Sequence, residues 1–240
     1  MYSCTEMAEI MERSLGLRWS AVAVKLLREG EPAPADTREP RMPVRHCQSL
    51  VLARRGKALY IPLSKHACPD GAANLGLREP LEKLMDGSLY LAFQKLGSLE
   101  AARRMAVESP RLHAGTFAAT AVMPLAKASF QPDVVVITGR PEQIMWACAA
   151  CVYHTGERLT FNASGYNAGC VECVVVPAQT GRPNLSLGCY GCRSSTEMAD
   201  DELAISIPGG QLPQVADALV KLAEKAIPEE RAKINMAPFV

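Results

Sequence analysis

Residues 132–139 read PDVVVITG and give the clearest strand signal in the chain. Five consecutive β-branched residues, VVVIT, are closed at both ends by turn-forming residues, which is the pattern of a short buried strand. The sequence that follows, PEQIMWACAACVYHTGE (141–157), begins with a proline suited to a first helical turn and ends near Gly156. The sequence therefore predicts a strand over 132–139 that is followed directly by a helix over 141–157.

Strands and helices alternate irregularly on either side of this unit. Further strands are predicted at 21–27, 58–63, 158–163, 172–178 and 202–209. Further helices are predicted at 4–15, 46–56, 68–77, 80–85, 99–109 and 212–226. This mixed order indicates an α/β or α+β fold, with one compact domain over residues 1–240 and a mixed sheet flanked by helices.

The two ends of the predicted domain echo one another. A strand, a helix, the string RRGKALYI and then Cys68 occur within the first part, and a strand, a helix, HTGERLTF and Cys170 occur within the second. The echo predicts a pseudo-repeat of halves at about 18–80 and 130–210. It also predicts that Cys68 and Cys170 lie on one rim of the domain.

The composition excludes several functional classes. Lysine and arginine total 26 against 25 aspartate and glutamate, a formal net charge of +1, so no general field attracts nucleic acid or an anionic membrane. The acidic run at 200–202 is typical of a solvated loop. The longest apolar stretch, 114–126, contains Pro124 and is too short to span a membrane. With no secretory leader at the N-terminus, we expect a cytoplasmic protein whose thiols stay reduced.

Nine cysteines are the most distinctive feature of the sequence. The odd number does not suit a complete set of disulfides, and in a reducing compartment a surplus of cysteines indicates metal or redox chemistry. Three CxxC pairs are formed by Cys148 and Cys151, Cys170 and Cys173, and Cys189 and Cys192. Cys4, Cys47 and Cys68 stand outside these pairs.

The spacing Cys170-x2-Cys173-x15-Cys189-x2-Cys192 falls within the range of a four-thiolate zinc site. The predicted strand at 172–178 counts against this interpretation, because thiols three apart on an extended chain point to opposite faces. Cys148 and Cys151 share the predicted helix 141–157 with apolar neighbours, so both are interpreted as small buried side chains.

Three cysteines lie where a turn or a helix start favours an ionised sulfur. Cys68 precedes Pro-Asp-Gly at the start of a helix, and Cys47 lies at another helix start beside His46. Cys189 is flanked by glycines, and we expect nearby Arg193 to lower the pKa of a neighbouring thiol.

Seven strings along the chain resemble the domain-of-unknown-function family 169 of archaea and anaerobic bacteria. They are VAVKLL, RHCQSLVLARRGKALYI, CPDGAANLGL, PRLHAG, PDVVVITGRPEQIM, GCVECVVVP and GRPNLSLGCYGCR, and the resemblance extends from about residue 15 to residue 222. The resemblance implies a shared set of cysteines at Cys47, Cys68, Cys170, Cys189 and Cys192. It implies no activity, substrate or cofactor, and it leaves Cys173 outside the set.

The leading hypothesis is that Cys47, Cys68, Cys170 and Cys189 converge to hold an iron–sulfur cluster of the [4Fe–4S] type. Cys192 is then an auxiliary thiol, and Arg193 donates hydrogen bonds that tune the reduction potential. A redox, electron-transfer or sensing role follows, and the sequence leaves open whether the site is catalytic.

Two alternatives remain. One is a structural or regulatory zinc site on the same sulfurs, joined by His46 or His66. The other is a thiol–disulfide oxidoreductase that uses Cys189 and Cys192. In each case the expected partner is a redox protein or a small molecule, with no nucleic acid and no membrane. The oligomeric state is left open.

Overall fold

A six-stranded sheet forms the centre of the computed structural model, which describes residues 2–239. The strands are β1 (Val22–Leu27), β2 (Leu59–Pro62), β3 (Ala119–Pro124), β4 (Val134–Gly139), β5 (Asn184–Ser186) and β6 (Leu203–Pro208). Their order across the sheet is β2-β3-β1-β4-β6-β5, and every neighbouring pair is antiparallel.

Strand β4 lies inside the sheet, between β1 and β6. Val136 is paired with Val22 of β1 and Val134 with Val24, while Ile137 is paired with Ile205 of β6. Alternate side chains of β4 enter hydrophobic clusters on the two opposite faces of the sheet. Because both faces are covered, the strand is a continuous apolar run instead of an alternating one.

Helices cover the two faces of the sheet. They are α1 (Cys4–Leu15), α2 (His46–Arg54), α3 (Pro69–Asn74), α4 (Glu82–Met85), α5 (Ser88–Ala92), α6 (Leu99–Glu108), α7 (Pro141–Val152), α8 (Val176–Thr180), α9 (Tyr190–Ser195), α10 (Leu212–Glu224) and α11 (Ala226–Arg231). Helices α1, α7, α10 and α11 pack on one face. On the other face lie α2, α3, α8 and a π-helix at Ala168–Val175, while α4, α5 and α6 form a small cluster of their own.

The predicted fold class is confirmed in its α+β form, as one compact unit. The sheet is antiparallel throughout, whereas a mixed sheet was expected. Strand β3 was missed because all six of its residues are buried, so its sequence shows no alternation and resembles any other apolar stretch. Strand β5, only three residues long, was also missed.

Two predicted strands are wrong. Residues 158–163 form no regular element, and 172–178 lie in the π-helix and in α8. The carboxylate of Glu172 explains the second case, because it accepts hydrogen bonds from the backbone N–H groups of Ser164 and Gly165 and from the hydroxyl of Ser186. These contacts tie the segment to a loop and to β5, which outweighs the strand preference of its valines.

The two halves of the echo share a strand and the helix that follows it. Their helices, α2 and α7, pack on opposite faces of the sheet. The counterpart of β2 in the second half is the strandless segment 158–163. The repeat stays a prediction, together with its expectation that Cys68 and Cys170 lie on one rim of the domain.

Candidate cysteine-lined site

Four of the nine cysteines line one cleft of about 930 Å³. Cys47 lies in the first turn of α2, Cys68 is the N-cap of α3, Cys170 belongs to the π-helix and Cys189 is the N-cap of α9. These are the four cysteines that the sequence analysis selects as ligands. The fold therefore brings four distant parts of the chain to one surface and turns a sulfur toward it from each.

Cys68 and Cys170 face one another across a glycine. A Cβ atom added to Gly71 would lie 3.5 Å from Sγ of Cys68 and 3.7 Å from Sγ of Cys170, so both sulfurs contact the space that this glycine leaves open. The backbone N–H of Gly71 donates a 3.3 Å hydrogen bond to Sγ of Cys68. Sγ of Cys170 lies 3.4 Å from the carbonyl oxygen of Asn167. The two thiols therefore lie on either side of the same short stretch of backbone at the start of α3.

Cys189 and Cys192 form a close pair at the start of α9. Their sulfurs are 3.4 Å apart, and the backbone N–H of Cys192 donates to Sγ of Cys189 at 3.4 Å. Cys189 is half-buried and lines the cleft, whereas Cys192 is buried behind it. Cys192 lies instead in a small apolar cavity together with Cys47 and Cys173. It is therefore a thiol behind the wall of the cleft, consistent with the auxiliary place predicted for it.

Cys47 is held in place by Gly169 of the π-helix. A Cβ atom on Gly169 would lie 2.8 Å from Cβ of Cys47 and 3.1 Å from its Cα. Real side chains do not approach so closely, so the π-helix and the first turn of α2 pack at this distance only because residue 169 has no side chain.

We expect Gly169→Ala to destabilise the protein by about 1–3 kcal/mol, since α2 must move away from the π-helix to admit the methyl group. Urea unfolding measures the change. Gly210→Ala is the matched control, because no atom lies within 4 Å of a Cβ placed there. A free energy of unfolding for Gly169→Ala as close to wild type as that of the control would contradict the packing described.

The remaining cysteines lie away from the cleft. Cys4, Cys148 and Cys151 pack against the core on the opposite face of the sheet, and all three are half-buried, whereas Cys148 and Cys151 were expected to be buried. Cys173 is buried and adjoins the smaller cavity. The predicted strand at 172–178, which counted against Cys173 as a ligand, is wrong, because the segment is helical. Cys173 lies outside the cleft because it is on a different side of the π-helix from Cys170.

Arg193 does not point at a thiol. Its guanidinium donates hydrogen bonds to the carbonyl oxygens of Ala199, Leu187 and Glu202 and so fixes the loop that follows α9. The positive charge near the sulfurs comes from Arg45, which lowers the pKa of the Cys68 thiol against larger opposing effects. Arg45 was missed because its position, two residues before Cys47 in the sequence, gives no sign that it lies near a different cysteine.

The thiols of Cys68, Cys170 and Cys189 have raised pKa values, contrary to the expectation of ionised sulfurs. Burial raises the pKa of Cys68, and it raises that of Cys170 far more, with further increases from Asp70 and Cys68. The contact with Cys192, followed by burial, raises the pKa of Cys189. For Cys192, the contact with Cys189 lowers the pKa, but Cys47 and burial raise it to about 11 overall.

We expect the metal-free protein to lose stability as the pH rises above about 9. Burial raises the pKa of Cys148 to about 11 and that of Cys151 to about 12, from an ordinary value of 9.0. As the pH rises, the unfolded chain therefore releases these protons before the folded chain does. Each thiol contributes stability below pH 9 that is lost toward pH 11–12. In that window the free energy of unfolding falls by about 1 kcal/mol per pH unit for each thiol. Urea unfolding from pH 8 to pH 11 measures the slope. A Cys148→Ala, Cys151→Ala double variant must show a shallower slope than the wild type, and equal slopes would contradict the assignment.

His46 is buried and lines the cleft, and the half-buried His66 lies beside it. His46 is 2% exposed, and both of its ring nitrogens are without a hydrogen-bond partner. Burial, then the neighbouring His66, lowers the pKa of His46 to about 3, and burial lowers that of His66 to about 4. The two rings stack with centroids 6.4 Å apart. Both imidazoles are therefore neutral, which is the form that binds metals.

A buried polar network lies beside Cys170. The carboxylate of Asp70 accepts hydrogen bonds from the hydroxyl of Tyr90 at 2.9 Å and from the side-chain amide of Asn74 at 3.0 Å, and Asn167 donates to the same hydroxyl at 3.0 Å. Burial raises the pKa of Asp70 despite these contacts. The network could not be predicted from the sequence, in which Asp70 is only a residue at the start of a helix.

The sulfurs share a surface but do not surround a single point. Within residues 2–239, no three side chains of histidine, cysteine, aspartate or glutamate are grouped closely enough to hold one metal ion. The arrangement is a wall of four thiols, one from each of four elements, facing a cleft far larger than an ion. Such a wall is suited to a polynuclear group or to thiol chemistry better than to a single tetrahedral ion.

A family model described as DUF169, uncharacterised ArCR, matches residues 10–218. The chain belongs to this family. The uncharacterised protein MJ0308 of Methanocaldococcus jannaschii, a curated relative, is 31% identical over 200 residues, which cover 82% of this chain and 85% of that protein. No solved structure matches the chain. None of the helices within residues 2–239 has the length and apolar character needed to cross a membrane.

Proposed function

We propose that the cleft holds an iron–sulfur cluster of the [4Fe–4S] type, with Cys47, Cys68, Cys170 and Cys189 as its ligands. The observation that supports this is the convergence of these four cysteines on one cleft from four separate elements. Such clusters are commonly bound by four cysteine thiolates, and the ligands need to meet in space and not in sequence. All nine cysteines are free, so the four sulfurs are available for ligation.

The surroundings of the sulfurs suit a cluster that exchanges electrons. The backbone N–H groups of Gly71 and Cys192 donate to the sulfurs of Cys68 and Cys189. Hydrogen bonds to ligand sulfurs stabilise the more negative, reduced state of a cluster and so raise its reduction potential. Arg45 adds a positive charge near Cys68 with the same effect. A role in electron transfer or redox sensing follows, with a redox protein or a small molecule as the partner.

Assembly of the cluster releases protons. The pKa values of Cys68, Cys170 and Cys189 are all raised in the metal-free chain, and each thiol must deprotonate to bind iron. Loading is therefore expected to be more complete at pH 8 than at pH 6. The cluster also requires a reducing environment, because a disulfide between Cys189 and Cys192 would remove one of its ligands.

Anaerobic purification and reconstitution test the proposal. We expect about four iron and four sulfide ions per chain, with broad absorbance at about 400 nm that is lost on reduction. Stoichiometric zinc without sulfide would favour the zinc alternative, in which His46 or His66 joins the sulfurs. A colourless chain without bound metal after reconstitution would overturn both.

A second candidate, thiol–disulfide exchange by Cys189 and Cys192, is favoured by their 3.4 Å separation and by the greater exposure of the first thiol. In this reaction the two thiols lose two electrons and two protons to a substrate disulfide, which leaves as two thiols. The raised pKa of Cys189 opposes it, since exchange requires a thiolate. An insulin-reduction assay separates the candidates. Activity abolished by Cys189→Ser and by Cys192→Ser would support exchange, and an inactive wild type would exclude it.

A further inference from the structure

The cleft is larger than the cysteine wall requires, and its mouth carries aromatic rings. Its volume of about 930 Å³ lies within the range of pockets that enclose small organic molecules, roughly 300–1,000 Å³. Tyr90 and Tyr166 line it from within, their ring centroids 6.0 Å apart. Phe93 and Tyr190 also line it and are 62% and 64% exposed. Exposed rings of this size beside a cleft indicate a surface that a planar group would cover.

Two cations line the same cleft without an acidic partner. The ammonium of Lys95 lies 4.0 Å from the ring centroid of Tyr190 and 5.7 Å from that of Phe93. The guanidinium of Arg45 donates only to the hydroxyl of Ser195, at 3.2 Å. Among residues 2–239, neither Lys95 nor Arg45 forms an ion pair.

Asp70 is the one carboxylate among the residues that line the cleft. Its two oxygens already accept hydrogen bonds from Tyr90 and Asn74, so it is occupied within the protein. The lining therefore has an excess of positive charge, in a chain whose overall net charge is only +1. Local positive charge with aromatic walls is complementary to an anion that has a planar apolar body.

We propose that the cleft binds a small organic carboxylate with a planar, apolar body. The carboxylate lies against Lys95 and Arg45, and the planar body lies among the rings of Tyr90, Phe93 and Tyr190. This inference rests on the proposed function in one respect, since the bound molecule would lie beside the sulfurs that are proposed to hold the cluster.

Calorimetric titration with 2-naphthoate and with 2-naphthamide tests the inference, because the two probes share a ring system and differ in charge. The reconstituted wild type is expected to bind the anion about tenfold more tightly than the amide, with the preference reduced by added salt. Lys95→Met is expected to lower that preference to about twofold. Lys221→Met is the matched control: that lysine also lies over a ring, 6.0 Å from the centroid of Tyr153, but on α10 at the opposite face of the sheet.

Equal affinity for the two probes, or an anion preference that Lys95→Met leaves unchanged, would overturn the inference, as would the absence of binding by either probe. Iron and sulfide are measured in the same samples, and the titration is repeated with metal-free protein. Charge-selective binding without cluster assembly would support the anion site and overturn the cluster. Cluster assembly without anion binding would do the reverse.

Discussion

Replacing Cys170 by alanine is expected to abolish cluster binding, so that iron and sulfide fall from about four of each per chain to background. Cys170 is the most deeply buried of the four proposed ligands and faces Cys68 across Gly71. The other cysteines that line the cleft, Cys47, Cys68 and Cys189, are already proposed as ligands, so the lining holds no spare thiol to replace Cys170. Anaerobic reconstitution followed by iron and sulfide assays measures the loss.

The matched control is Cys173→Ala. Cys173 is buried in the same π-helix, but it adjoins the smaller cavity and not the cleft. Both changes remove one buried sulfur from one helix, so their effects on packing are comparable. If Cys170→Ala loads iron and sulfide as fully as Cys173→Ala, Cys170 is not a ligand. If Cys173→Ala alone loses the cluster, the ligand set proposed here is wrong.

Arg54→Met is expected to cost about 3–5 kcal/mol of unfolding free energy, the largest effect on stability that we predict. The guanidinium of Arg54 is 2.9 Å from the carboxylate of Glu202, and the two side chains are only 2% and 10% exposed. Arg54 also donates to the carbonyl oxygen of Glu197 at 3.0 Å. Methionine fills similar space but leaves a buried carboxylate without its counterion.

A double variant separates charge from packing. Arg54→Met with Glu202→Met removes both charges and is expected to recover most of the lost free energy, because a buried pair replaced by apolar groups is commonly neutral or better. Urea unfolding of the wild type, both single variants and the double variant gives the coupling energy. A single Arg54→Met variant within 1 kcal/mol of wild type would contradict the assignment.

The Arg54–Glu202 pair also bears on the cleft. Arg54 ends α2, which carries Cys47, and Glu202 precedes β6 just after the loop that follows α9 and its Cys189. The ion pair therefore links α2, which supplies one proposed ligand, to the segment that joins α9 to β6. Glu202 was expected to belong to a solvated acidic run at 200–202. Its partner, Arg54, is distant in the chain, and the residues next to Glu202 give no sign of it.

The elements that were predicted well are those whose signals are local. The capping box of Ser3 and Glu6 begins α1, and the β-branched run of 134–138 forms β4. Elements decided by distant contacts were missed. Glu172 holds a valine-rich segment in a π-helix through hydrogen bonds to Ser164, Gly165 and Ser186, and no periodicity of that segment predicts it.

Only part of the candidate site could be predicted from the sequence. Turn and helix-start contexts, with the family resemblance, selected the four cysteines that line the cleft. The raised pKa of the Cys170 thiol could not be predicted, since it depends on burial and on neighbours such as Asp70. The aromatic mouth with Lys95 was missed for the same reason: its rings come from α5, from the loop before the π-helix and from α9, and they meet only in the folded chain.

Alkylation of the anaerobically reconstituted protein, read by mass spectrometry, tests the central claim most directly. Each cysteine is compared between loaded and metal-free chains labelled under the same mildly denaturing conditions. Cluster binding is predicted to protect Cys47, Cys68, Cys170 and Cys189 together, with Cys4 and Cys148 labelled alike in both states. Equal labelling of those four cysteines in the two states, or protection of a different set, would contradict the account.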